Sequence, residues 1–384
     1  MFKKNLNSLL MLAGASALFA LPPRVGSTNY KASSINNFDF NLSWENLKIE
    51  SADGNDIVVE IYCNKKRYAP TVKTLHKDTL IIESVPSLSH FFIGERRNCT
   101  VIVQVPDGKQ FDNFTIHTSS GNINCSTEIL SDKAFLQASS GNINIDGKII
   151  SKTEVTVKTS SGDSFVKFVQ TNDFTASANS GKIAVDLANS KMASLQASSG
   201  DIFIKGGSSQ KTEMSASSGN ITCSNYSGGK TETQTTSGNI KLNDVQATSF
   251  DATTSSGNIT ARDLGCQSFD VSTASGTIGL ELIDAPVGKS SMSSSSGTQF
   301  ISMPHGSRIS LHVTTSSGSF TNAFTKEKIS SHADYNKAIN GGGAKVHFSS
   351  SSGSITLDEG DGVASDRALI TDDDPVITID RPIF

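Results

Sequence analysis

The feature of this sequence that most constrains its fold is a serine-glycine pair that returns at an almost fixed spacing. "HTSSGNINC" begins at His117, and "QASSGNINI" and "SASSGNITC" repeat its order further along. Successive glycines of these pairs lie 20, 21, 19, 19, 19, 19, 19, 19, 21, 21 and 35 residues apart. They are Gly121, Gly141, Gly162, Gly181, Gly200, Gly219, Gly238, Gly257, Gly276, Gly297, Gly318 and Gly353. A period of this size is typical of a solenoid, in which each repeat forms one coil that stacks on the next.

Side chains at fixed offsets from these glycines give the local structure. Positions five before and two and four after each glycine are mostly apolar, and the position three before is always Ala, Thr or Ser. Alternation with a period of two on both sides of the glycine predicts two short strands per repeat. The glycine is expected at a corner, where it supplies the backbone angle that the turn needs.

A second column of like residues directly follows the corner. It consists of Asn122, Asn142, Asn220, Asn239 and Asn258. Similar side chains stacked at the spacing of β-strands can hydrogen-bond along the stack. We therefore expect an asparagine ladder whose role is to hold the corner.

These patterns predict an all-β fold, a single-stranded β-solenoid (β-helix) of about 12 coils with a period of about 19 residues. We expect a right-handed coil, although no residue pattern fixes the hand. Four regions follow: a signal peptide at 1–27, an N-terminal β cap at 28–108, the solenoid at 109–360 and an acidic C-terminal tail at 361–384. The cap is expected because a solenoid needs a different terminal unit to cover its open edge.

The first residues predict export. Lys3 and Lys4 precede a mostly apolar run, Leu9–Leu21, and small residues after it offer cleavage sites. This order is typical of a secretory signal, and the run is too short to span a bilayer. The expected location is the periplasm, the cell surface or the medium, without a transmembrane anchor once the signal is removed.

Charge and cysteine usage narrow the possible partners. The net charge is −4, and only 18% of residues are charged. Without a basic stripe, nucleic acid is not an expected partner, since its binding depends on Lys and Arg. Of five cysteines, Cys63 and Cys99 lie in two cap strands and could pair. Cys125 and Cys223 are about five coils apart, too far for a disulfide, and Cys266 has no obvious partner.

The sequence shows no pattern that predicts catalysis or a cofactor. It has no His-x-x-x-His or Cys-x-x-Cys spacing for a metal, no phosphate-binding glycine loop and no Gly-x-Ser-x-Gly elbow. We therefore predict no catalytic residues, no metal and no cofactor. A sugar-cleaving enzyme needs carboxylates that converge on one groove. The acidic residues that follow the corners are spread along the array and are interpreted as solvated surface groups; they are Asp146, Asp186, Asp244, Asp263 and Asp284.

Both ends of the array resemble a known family. "VIVQVPDGKQFDNFTIHTSSGNI" is similar to the entry strands, and "NGGGAKVHFSSSSGSITL" to the exit strands, of the bacterial putative-adhesin domain family of β-strand repeats, domain of unknown function 4097. The resemblance covers roughly residues 40–360. It implies an exported or surface β-solenoid and brings no catalytic residues with it.

Three functions remain open at this point. The first is an exported, non-enzymatic, adhesin-like scaffold that binds an unknown envelope component, a glycan or a protein. The second is a carbohydrate-active enzyme on a β-helix, which needs clustered carboxylates. The third is an ice-binding solenoid, which needs regular outward columns of threonine; the small residues before the glycines vary and are expected to point inward.

Overall fold

The computed structural model describes residues 21–85, 97–332 and 334–360. Residues 1–20 of the predicted signal peptide and the predicted acidic tail at 361–384 lie outside this part of the chain. The described chain is built of strands joined into one sheet, with two short 3-10 turns at Ala32–Ser34 and Lys66–Tyr68. The predicted all-β solenoid is confirmed.

Seven strands precede the regular array. They are β1 (Arg24–Lys31), β2 (Asn37–Leu42), β3 (Asn46–Ala52), β4 (Asp56–Cys63), β5 (Thr71–Leu75), β6 (Thr79–Glu83) and β7 (Cys99–Pro106).

The array and the C-terminal end contain the other strands. They are β8 (Gln110–Thr118), β9 (Ile123–Cys125), β10 (Ile129–Ala138), β11 (Ile143–Thr159), β12 (Ser164–Ala178), β13 (Ile183–Ala197), β14 (Ile202–Ile204), β15 (Gly207–Ala216), β16 (Ile221–Thr235), β17 (Ile240–Thr254), β18 (Ile259–Thr273), β19 (Ile278–Leu282), β20 (Ser290–Ser294), β21 (Gln299–Pro304), β22 (Ile309–Thr315), β23 (Ser319–Asn322), β24 (Glu327–Ser330), β25 (Asp334–Ile339), β26 (Ala344–Ser350) and β27 (Ile355–Gly360).

Each regular coil has three faces rather than the two strands that the repeat pattern predicts. Along β16, buried and outward residues alternate, but two outward residues in a row follow Cys223 and again follow Gly228. Each such break turns the chain. We call the run before the corner glycine face A, the run after it face B, and the third run face C. Inward residues of face C differ from coil to coil, as at Tyr226, Val245 and Leu264, so the sequence gives that face no recurring signature.

The coils stack in parallel with like residues in register. Ile221 lies beside Ile240, which lies beside Ile259, and the same pairing continues along β16, β17 and β18. The apolar columns on both sides of the corner are buried, including their polar members Ser164, Thr233 and Gln299. A stack of apolar columns inside a ladder of interstrand hydrogen bonds therefore forms the core.

The corner glycines form one column along an edge, and each is packed against the peptide of its neighbour. A Cβ added to any of the 12 would overlap the backbone carbonyl of the residue at the adjacent corner. None of them has a φ in the left-handed region. The expected role in supplying a backbone angle is therefore wrong, and the glycines are needed because the coils approach too closely for any side chain.

In some coils a threonine three residues before the glycine links two successive corners. Thr235 Oγ1 accepts a hydrogen bond from the N–H of Gly238 at 3.1 Å and donates one to the carbonyl of Gly219 at 3.1 Å. Thr254 makes the same two bonds one coil further on. Its hydroxyl thus links one coil to the next inside the core, where unpaired polar groups are costly.

The predicted asparagine ladder is mainly a contact between side chain and backbone. The N–H of Asn142 donates to Asn122 Oδ1 at 2.8 Å, and that of Asn258 donates to Asn239 Oδ1 at 2.9 Å. Asp163 accepts in the same way from Lys182, at 2.8 Å. The column tolerates Asp among the Asn residues, because both side chains have the same length and carry an acceptor oxygen at the same position.

The order of coils in space departs from their order in the chain at both ends. The solenoid has about ten turns, and the corners from Gly121 to Gly297 follow one another in sequence order. Beyond them, β26 and β27 are inserted between β20–β21 and β22–β23. At the other end, β2 and β3 lie between β6–β7 and β8–β9. The 12 corner glycines are thus ten in sequence order and two exchanged, and the hand of the coil stays a prediction.

Antiparallel strands cover the outermost coils. β5 pairs with β6, and β4 with β7, at the N-terminal end. β25 pairs with β22, and β24 with β23, at the C-terminal end. Tyr335 of β25 packs on Phe320, with ring centroids 5.1 Å apart, and thereby covers the last coil. These strands change the direction of pairing at the edges, where an open parallel ladder would offer itself to other chains.

Replacement of Gly219 by alanine is expected to destabilise the solenoid by about 1–3 kcal/mol, because the methyl group would overlap the backbone of the preceding coil. The matched control is Gly279→Ala, since an added Cβ there meets nothing within 4 Å. Urea unfolding of both variants measures the difference. Equal midpoints for the two would contradict the close packing of the corners.

Candidate functional site

Four carboxylates form one outward column on face A, in the middle of the array. Glu213, Glu232, Asp251 and Asp270 lie side by side in successive coils. Like charges opposite one another destabilise a sheet. Lys230 offsets this, since its Nζ lies 2.5 Å from Glu232 and 3.5 Å from Asp251. Its hydrogen bond lowers the pKa of Glu232, whereas partial burial raises the pKa of Asp251. Three of the four carboxylates are thus paired with Lys211 or Lys230, which lie beside the column.

Asn and Asp residues at the turn from face B to face C have a structural role that the sequence did not reveal. Asn225, Asp244 and Asp263 adopt left-handed backbone angles, with φ of 50°, 54° and 51°. Asn and Asp tolerate this conformation better than most residues. The interpretation of Asp244 and Asp263 as solvated surface groups is therefore incomplete, because they turn the chain from face B to face C.

The other carboxylates considered for catalysis lie in separate coils. Asp146 accepts a hydrogen bond from Asn144 at 2.8 Å, and Asp186 forms an ion pair with Lys205 at 2.5 Å. Asp284 lies between the ninth and tenth corners and lines a depression that also includes Pro304 and Arg308. These carboxylates do not meet in one groove. Among the described residues, no group of His, Cys, Asp and Glu is arranged to hold a metal ion.

The threonines near the corners do not form an outward surface. Thr118, Thr159, Thr235 and Thr254 are all buried, as the repeat pattern predicts for the small residues. The outward neighbours on face A include Gln196, Ser215, Gln234 and Thr253, which differ in size. A regular threonine surface of the kind that orders water is not formed on this face.

Cys63 and Cys99 form a disulfide between β4 and β7, where they face each other across the antiparallel pair. Trp44 and Val25 pack around the small apolar cluster that contains it. The bond therefore ties the N-terminal strands together, at the end of the solenoid away from Gly318. Cys125, Cys223 and Cys266 are free and buried.

A groove of about 930 Å³ lies on the outside of face A beside the C-terminal end. Its floor is made by four adjacent strands in the order β20, β26, β22 and β25. Lys289, Lys345, His312, His347 and Asn336 are among its lining residues. The exchange of the last coils creates this lining, since it places the strand with Lys345 and His347 between two strands that come earlier in the chain.

Two histidines lie together in the groove. His312 and His347 are neighbours in register, with ring centroids 4.7 Å apart. His312 Nε2 lies 3.1 Å from a carboxylate oxygen of Asp334. The pKa of His347 is lowered by burial first, and then by the charges of His312 and Lys289. His347 Nδ1 is buried without a hydrogen-bond partner.

The lysines of the groove add positive charge. Within the part of the chain that the structure describes, neither Lys289 nor Lys345 forms an ion pair, and both side chains are exposed. Lys337 is different, since its Nζ lies 3.2 Å from Glu327. The groove is thus a basic site at one end of an array whose middle carries an acidic column. Sequence reasoning missed it because its residues lie on strands that are far apart in the chain.

The fold and its surface define a class of protein: a capped β-solenoid with closely packed glycine corners and side chains displayed on flat outer columns. The profile of the Toastrack DUF4097 family matches residues 35–214, 147–277 and 208–358. The chain belongs to this family, and the resemblance seen in its sequence is confirmed.

Several solved structures are similar to this chain at low sequence identity. A putative lipid binding protein from Parabacteroides distasonis is 19% identical, with a TM-score of 0.41, over 66% of this chain and 95% of that one. A putative adhesin from Parabacteroides merdae is 11% identical, with a TM-score of 0.36, over 72% of this chain and 95% of that one. A putative adhesin from P. distasonis is 10% identical, with a TM-score of 0.31, over 87% of this chain and 97% of that one. No curated protein matches the sequence.

The native protein is expected to show one disulfide and three unreactive thiols. Burial raises the pKa of Cys125, Cys223 and Cys266 to about 12, so at pH 8 they stay protonated as well as shielded. Only the thiolate reacts readily with alkylating agents. Mass spectrometry should find no label on the native protein, three labels after denaturation and five after reduction as well. Labelling of Cys63 or Cys99 without reduction would contradict the disulfide.

Proposed function

We propose that this protein is an exported, non-enzymatic β-solenoid that acts as an adhesin-like scaffold of the cell envelope or surface. It binds an envelope component, a glycan or a protein. The observation that carries this proposal is the basic groove beside the C-terminal end, in which Lys289 and Lys345 stand without ion pairs on four adjacent strands. Charged groups that are not used by the fold itself are the ones available to a partner.

Binding fits the groove better than catalysis does. His312 and Asp334 form a base–carboxylate pair, but the hydroxyl groups nearby are engaged. Ser291 donates to Asp270 at 2.7 Å, and Ser310 donates to the carbonyl of Gly343 at 3.2 Å. A serine nucleophile would need its hydroxyl free to donate its proton to the histidine base. The groove instead offers positive charge and a floor held in place by the sheet.

The solenoid is suited to act as a rigid scaffold for the groove. About ten turns at about 4.8 Å each give a rod of roughly 48 Å, and hydrogen bonds link every coil to the next. Among the described residues, no helix has the length and apolar character needed to cross a membrane. The predicted signal at residues 1–27 supports export, and the disulfide between Cys63 and Cys99 is consistent with an oxidising compartment.

Fractionation of producing cells is expected to place the protein in the envelope or the medium, without the predicted signal. Protease treatment of intact cells, followed by antibody detection, separates a surface location from one inside the envelope. The control is a chain that lacks residues 2–27, which should stay in the cytosol with its cysteines reduced. Recovery of the complete chain from the cytosol, with residues 1–27 still attached, would overturn the proposal of export.

A further inference from the structure

The groove at the C-terminal end gathers basic residues that are distant in the sequence. Lys289 comes directly before β20, Lys345 lies on β26, and His312 lies on β22. If the coils followed the order of the chain, β26 would be outermost and β22 would lie next to β20. Because β26 is inserted instead, Lys345 and His347 take the centre of the groove, between Lys289 on one side and His312 on the other.

The carboxylates near these basic residues are already engaged. Asp334 lies beside His312 at 3.1 Å, and Asp270 accepts the hydroxyl of Ser291. Glu327 is held by the hydroxyl of Tyr335 and by Lys337. Among the described residues that line the groove none is a carboxylate, whereas Lys289, Lys337 and Lys345 are present, so positive charge predominates along its lining.

The polar contacts and the size of the groove narrow the ligand class. The ammonium groups of Lys289 and Lys345 and the imidazole of His347 lie on adjacent strands and provide separate hydrogen-bond donors. Such a set suits a ligand group with several anionic oxygens. A volume of about 930 Å³ lies within the range of sites for small organic molecules and is much larger than a bare ion requires. Leu311 and Val346 lie beneath the groove with their side chains buried in the core, so they hold its floor in place.

We propose that this groove is a binding site for a phosphomonoester group on an organic molecule, with the phosphate seated between Lys289 and Lys345 and beside His347. This inference rests on the proposed function as a binding scaffold. The phosphate could belong to a sugar or to a lipid headgroup, since both present the same charged oxygens to the groove. Lys289 and Lys345 neutralise its charge, while His347 supplies a directional donor.

The test uses the purified chain without residues 1–27, with glucose 6-phosphate and phosphatidic acid vesicles as probes. The variant is Lys289→Ala/Lys345→Ala, which removes two exposed side chains and should leave thermal unfolding unchanged. The matched control is Lys241→Ala, another exposed lysine without a described ion pair, on face B. Glucose 6-phosphate affinity should fall at least about tenfold in the double variant and stay unchanged in the control.

NMR of the histidine rings provides a second readout. Bound phosphate stabilises the imidazolium, so the titration midpoint of His347 should rise with glucose 6-phosphate and not with glucose. Uncharged phosphatidylcholine vesicles serve as the lipid control. Loss of vesicle binding in the double variant, with no binding of the sugar, assigns the phosphate to a lipid; the reverse assigns it to a sugar.

The proposal is overturned if neither probe binds, or if the double variant and Lys241→Ala weaken binding equally. It is also overturned if both probes bind while the midpoint of His347 does not move. None of these results bears on export, because fractionation of cells reports the location of the protein whether or not the groove is occupied. An exported protein that ignores both probes would keep the proposed scaffold and lose only this ligand.

Discussion

The close approach of successive corners is the constraint on which the rest of this structure depends. Each corner glycine lies against the carbonyl of the preceding corner in the stack, so the coils stack at the separation of hydrogen-bonded strands along that edge. Thr235 and Thr254 each bond to two corner peptides at once, and the Asn column adds a bond on the outer side. Register follows from this edge, because a coil shifted by one residue would place a side chain where only a hydrogen atom fits.

The regular part of the fold was readable because its physics is local and repeated. Apolar residues five positions before Gly219 and two and four positions after it recur with the period of a coil, as does the small residue three positions before it. Each of them faces the core, as predicted. The role of the glycine was misjudged for a plain reason. A need for space and a need for a backbone angle select the same residue, and only the stacked structure separates them.

The ends and the groove could not be read in the same way. The sequence around Gly353 fits the repeat as well as that around Gly297, so no local pattern shows that its coil lies inside that of Gly318. Lys345 and Lys289 are therefore unremarkable in sequence and become neighbours only through that exchange. The structural role of Asp244 and Asp263 could not be predicted either, because one sequence does not distinguish an aspartate in a left-handed turn from a solvated aspartate.

The exchange of coils also changes how the molecule would respond to a pulling force. In a solenoid wound in simple chain order, the last coil is bonded on one side and can peel away one hydrogen bond at a time. Here β2 and β27 each have a strand on both sides. Traction on the C-terminal strand β27 must therefore slide it out from between two ladders, which loads many hydrogen bonds together, whereas β1 at the other end pairs with β4 alone. The C-terminal end is thus expected to resist pulling more than the end of a solenoid wound in simple chain order.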